Sequence, residues 1–181
     1  MIQPQHVLQF WFHDITPKFW WDKDSDFDLL ITSRFGETHT AAMAGELSAW
    51  RDDIKGRLAE IIVLDQFSRN MFRDTAAAFS SDALALELAQ EAILSPEHKQ
   101  LSADERAFLY MPFMHSESLT IHQKAVELFG LPGMNPFNAE FEAKHLRIIE
   151  QFGRYPHRNA ILGRASTQAE LDFLQEPNSS F

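Results

Sequence analysis

A chain of 181 residues with a 45% hydrophobic share fits one globular domain built on a single core. Its formal net charge of −10 disfavours a nucleic-acid partner, because such binding begins with Lys and Arg neutralising phosphates. With no cysteine, disulfides, thiol nucleophiles and thiolate metal centres are excluded, and only His, Asp and Glu remain to hold a metal.

The predicted elements are all helices. Clean alternating runs bounded by turn residues are missing and β-branched residues are sparse, so no strand is expected. Apolar spacing and end signals place helices near 5–12, 25–45, 54–72, 81–93, 102–111, 116–130, 138–152 and 167–175. Short gaps rich in Pro, Gly, Asp and Ser suit antiparallel neighbours in one all-α domain, 1–181, of about eight helices. The tail 176–181 is expected to fray. No stretch approaches the roughly 18 apolar residues of a membrane span. The opening "MIQPQHVLQFWFHD" lacks the flank and cleavage site of a signal peptide, so the expected location is the cytoplasm, with no membrane partner.

Local signals refine this map. "FWF" at 10–12 and "FWW" at 19–21 read as core and staple rings, with stacking platforms as the alternative. Ala85, Leu88, Ala89 and Ala92 share a face small enough for close packing. Ser102 with Glu105 and Thr167 with Glu170 fit the capping box. Pro112 separates two helices or kinks one. Ser116 reads as an N-cap followed by the first-turn acid Glu117. Phe141, His145, Ile148, Ile149 and Phe152 share a face, which makes His145 a core imidazole, and Gly153 and Pro156 end that helix.

Two segments carry the candidate chemistry. Projecting "IKGRLAEIIVLDQFSRNMF" at 100° per residue puts Leu58, Ile62, Asp65, Arg69 and Arg73 on one strip, with Gln66 beside it, on a helix otherwise apolar all round. Three readings follow: an exposed i,i+4 pair, an internal Arg-carboxylate network, or a ligand pocket. "FGRYPHRNAILGR", 152–164, adds Arg154, His157, Arg158, Asn159 and Arg164 after a helix C-terminus, which accounts for one cation but not for all of them. From these come Asp65, His115 and His157 as candidate proton-transfer groups. Gln66, Arg69, Arg73, Glu117, Arg154, Arg158, Asn159 and Arg164 are candidate ligand contacts. HExxH, EF-hand, phosphate-loop, GxSxG and kinase patterns are all missing, so neither metal nor cofactor is expected. Were a metal held, Asp65, His115, Glu117 and His157 would be its ligands.

"LDQFSRNMFR" (64–73), "MPFMHSE" (111–117) and "FGRYPHRNAILGR" together resemble a bacterial family, domain of unknown function 924. "VLQFWF", "FWW", "SRF" and "GELSAW" fit the same pattern in the same order. The resemblance implies an all-helical fold like tetratricopeptide-repeat (TPR) arrays, with antiparallel helix pairs around a concave face, and no established activity. Ser68 stands where the family is expected to carry proline commonly, which would ease a kink.

Three functional expectations result. The first is a polar pocket for a small carboxylate or phosphate ligand, extending to a hydrolase-type enzyme. The second is a TPR-like scaffold for an acidic peptide or protein. The third is a purely structural Arg-carboxylate network, which must be nearly saturated because buried charge is costly.

Overall fold

The computed structural model describes residues 2–177 and 179–180. Among these every regular element is helical. Helix α1 (Pro4–Gln9) runs on into a π-helical turn, Phe10–Asp14. Helix α2 (Ser25–Met43) follows, then α3 (Ile54–Ile62), which continues through a π-helical turn, Val63–Phe67, and a last α-turn, Ser68–Met71. The others are α4 (Asp82–Ala92), α5 (Ala103–Met114), α6 (Leu119–Phe129), α7 (Pro136–Phe152) and α8 (Gln168–Phe173), giving eight helices among the described residues. None of them is long and apolar enough to cross a membrane.

The expected end chemistry is present. Asp24 and Asp53 cap α2 and α3 by accepting from Phe27 N and Gly56 N, and both capping boxes, Ser102–Glu105 and Thr167–Glu170, are formed. Gly153 ends α7 at φ +68°, its N–H donating to Ile149 O at 2.8 Å. At Gly56 a Cβ would fall 1.8 Å from Trp50 O, so only glycine lets the Ser48–Asp52 turn lie against α3.

Two boundaries correct the sequence map. Pro112 lies inside α5, which runs on to Met114, so it separates nothing. Helix α6 starts at Leu119 rather than near 116, which leaves Ser116 and Glu117 in the preceding linker. Glu117 is drawn there by partners outside the helix: its carboxylate accepts from Tyr155 N and from Arg164. Of the tail expected to fray, Asn178 and Phe181 lie outside the described residues, and Ser179 is buried with its hydroxyl donating to Leu174 O.

Helix α3 is the central post. Leu58, Ile61, Ile62, Val63, Leu64 and Phe67 are fully buried, and the helix packs against α1, α2, α4 and α5. Phe10, Trp11, Phe35, Phe67 and Phe108 form a ring cluster beside it, with Phe35 and Phe67 centroids 4.8 Å apart. From α3 onward, consecutive helices through α7 pack on one another in chain order.

Candidate functional site

The site begins with the π-helical turn in α3. In a π-turn the i→i−4 ladder is interrupted, and the Leu64 carbonyl accepts from the hydroxyls of Ser68 and Ser81, each at 2.6 Å. His39 Nε2 lies 2.7 Å from Ser68 Oγ and completes a buried staple on the turn. Ser68, in the position where proline was expected, thus fixes the register that carries Asp65.

Asp65 is 1% exposed. Its Oδ1 lies 2.7 Å from His115 Nδ1 at the end of α5, and its Oδ2 accepts from Gln66 Nε2 at 2.6 Å. Arg69 Nη1 donates to the Asp65 carbonyl at 2.9 Å and stands 3.4 Å from Oδ1. Burial pushes the Asp65 carboxyl upward, but His115 and Arg69 outweigh it and hold the carboxyl well below its usual range. Burial and then Arg69 push His115 below its ordinary value, against Asp65, which raises it. An ionised Asp65 only accepts, so the ring turns a proton on Nδ1 toward it, and in the neutral form of the ring the lone pair is on Nε2.

Arg69 also forks onto Asp82 at the start of α4, at 2.9 and 3.1 Å. Arg158 reaches the same carboxylate at 3.4 Å and donates to His115 O at 3.0 Å, with its guanidinium 4.6 Å from the ring centres of Phe79 and Tyr155. Arg158 is 7% exposed, and its buried Nε–H has no acceptor among the described residues. Burial and then Arg69 lower its pKa.

These groups floor an open cleft of about 650 Å³. Aromatic rings of Trp20, Trp21, Phe79, Phe137, Phe141 and Tyr155 wall it. Lys23, Arg69, Arg73, Lys144 and Arg158 line it together with the acids Asp22 and Asp74, while Asp28, Asp65 and Asp82, which are not in the lining, pair with Arg73, Arg69 and Arg158.

The sequence profile of a family described as "bacterial protein of unknown function (DUF924)" matches residues 7–178. The chain belongs to the DUF924 family. Among solved structures it is similar to the protein of unknown function ATU0120 from Agrobacterium tumefaciens, at 38% identity over 95% of this chain and 96% of that one, with a TM-score of 0.90. No curated protein matches it.

Within this DUF924 chain the remaining sequence candidates have other surroundings. Arg73 lines the cleft edge but forks onto Asp28 of α2 at 2.6 and 2.7 Å. Arg154 forks onto Glu170, Arg164 forks onto Glu117, and Asn159 bridges Arg164 and Ser166; none of these lines the cleft. Together they strap the 152–164 segment to α8 and to the linker before α6. His157 does line the cleft, with its ring 5.6 Å from Tyr155, and burial followed by Arg158 lowers its pKa to about 4. His145 is buried, as its helix face implied, with Nδ1 2.8 Å from Phe141 O, and burial lowers its pKa to about 3. Asp65, His115, Glu117 and His157 do not gather as a metal-holding group.

The partner acids Asp28 and Asp82 and the wall rings Phe79, Phe137 and Tyr155 were missed by sequence reasoning; Trp21 of "FWW", read as a core ring with a stacking platform as the alternative, is 55% exposed and lines the cleft with Trp20. One signal was available for Tyr155: against sixteen Phe there are only two Tyr, and both place a hydroxyl on a buried acceptor or imidazole. Tyr155 OH donates to Met114 O at 2.5 Å and lies 3.1 Å from His122 Nε2, whose Nδ1 meets buried Glu142 at 2.6 Å. This pillar fixes the ring on which Arg158 rests.

Proposed function

We propose that the cleft binds a small organic acid, carboxylate or phosphate, and that the Asp65–His115 pair serves it as a general base, the chemistry of a hydrolase. The observation that carries this reading is His115, held through Nδ1 at 2.7 Å by the buried carboxylate of Asp65, beside two guanidiniums that share Asp82. Arg69 and Arg158 receive the anionic oxygens of the ligand, since a second acceptor suits two cations that divide Asp82. His115 Nε2 accepts a proton from water or a ligand hydroxyl, and Asp65 stabilises the imidazolium that forms.

The packing of consecutive helices in chain order supports the finer fold reading, a TPR-like stack with this cleft on its concave side. On that stack an acidic peptide would meet the same cations. The third reading, a purely structural network, suits the bidentate pairs that lie off the cleft, Arg154–Glu170 and Arg164–Glu117.

A thermal-shift panel of benzoate, phenyl phosphate and an acidic hexapeptide on wild type, Arg158→Ala and His115→Ala tests the reading. Stabilisation by the small acids is expected in wild type and in His115→Ala, and is lost in Arg158→Ala. Wild type that responds only to the peptide would favour the scaffold, and wild type that responds to nothing would overturn the proposal.

A further inference from the structure

A second cavity of about 270 Å³ abuts the cleft, and the two share Trp20, Trp21, Phe137 and Asn138 in their linings. Its other walls include Pro17, Ala107 and Phe108, and its lining contains no cation; the charged group in it is the carboxylate of Asp104. Two large rings at the junction stay exposed, Trp21 at 55% and Phe137 at 50%, beside the half-buried Trp20. Trp21 lies 6.0 Å from Phe108, nearly parallel, and Phe108 belongs to the core. The junction between the cavities thus carries exposed aromatic surface beside the Asn138 amide.

Resting on the reading of the cleft as an acid-binding site, we infer that its ligand is an amphiphile, a carboxylate or phosphate head with an apolar tail, and that the second cavity takes the tail. The charges set the polarity of binding. The head belongs with Arg69, Arg158 and His115, where the lining is cationic. The far end cannot be a second acid, because Asp104 would repel it and no cation there would receive it. An apolar tail passing Trp21 and Phe137 removes exposed ring surface from water, and this gain stands against the partial loss of hydration at Asp104, Asn135 and Asn138.

The test is a length series on the whole wild-type chain: butyrate, hexanoate, octanoate and decanoate, with the corresponding monoalkyl phosphates, by calorimetric titration. Affinity should rise about two- to fourfold per added methylene, in proportion to the apolar area buried. Ala107, buried in the wall of the second cavity, supplies the plug. In Ala107→Phe, or in Ala107→Val should the larger ring prevent folding, the short acids should bind as in wild type and the gain per methylene should collapse. The carboxylate and phosphate arms identify which head the floor prefers. Short acids that bind with no dependence on length, or a length dependence untouched by the plug, would overturn the tail site and leave the acid-binding reading intact. A series in which no member binds would overturn both.

Discussion

Two regions of this molecule use the same residues, arginine and carboxylate, in opposite ways. In the C-terminal strap each guanidinium has its own acid: Arg154 takes both oxygens of Glu170 at 2.7 and 2.8 Å, and Arg164 takes both of Glu117 at 2.7 and 2.9 Å. On the cleft floor two guanidiniums share Asp82: Arg69 forks onto it and also stands 3.4 Å from Asp65, while Arg158 meets it at 3.4 Å, donates to His115 O at 3.0 Å, and keeps an Nε–H that meets no acceptor among the described residues. A saturated fork is a strut, because nothing is left over to recognise anything else. An under-supplied one carries an electrostatic cost in the free protein that an added anion relieves.

Acid titration should separate the two regions most strongly. His157 and His145 have pKa values depressed from 6.5 to about 4 and about 3 by burial, so the unfolded chain takes up protons that the folded chain refuses. Stability from these rings is fully present above pH 6.5 and is lost as pH falls toward 4, by about 3–5 kcal/mol in all at pH 4.5. The strap obeys a lower window. Glu170, held down to about 2 first by Arg154 and then by the Thr167 backbone, contributes above its ordinary 4.5 and is lost only as pH falls toward 2. Urea unfolding across this range should show two phases; a flat profile between pH 7 and 5 would contradict the burial of the two imidazoles.

The next largest effect belongs to the strap. Glu117→Ala removes the acceptor of Tyr155 N and of both arms of Arg164. It should cost about 2–3 kcal/mol of unfolding free energy, the scale of lost hydrogen bonds to a charged group. The smallest stability change should come from the floor. Arg158→Met exchanges an incompletely paired buried cation for an apolar chain and should stay within about 1 kcal/mol of wild type. Equal costs for the two substitutions would erase the distinction between strut and reserve.

How much of this was legible in the sequence follows from the range of each signal. Helices announce themselves locally: periodicity and caps located all eight, including both capping boxes and the Gly153 stop. The Asp65–Arg69 strip was also a local pattern, and the structure keeps those residues together. The π-turn beneath Asp65 has no side-chain period of its own, and its staple comes from His39 and Ser81, outside the helix. Pairings such as Arg73 with Asp28 and Arg158 with Asp82 span 45 and 76 residues, and nothing near either arginine names its partner. The spread of cations along 152–164 suggested one convergent cluster; the fold divides it, turning Arg158 to the cleft and Arg154 and Arg164 to the strap.

The most direct test watches the floor arginines themselves. In protein labelled with nitrogen-15 at arginine and histidine, phenyl phosphate should shift the Arg69 and Arg158 guanidinium resonances and move His115 Nε2 saturably, with Arg154 and Arg164 unmoved. Arg158→Met, still folded, should abolish the His115 response. A titration in which Arg158 and His115 stay still, or in which the strap arginines move equally, would contradict the account.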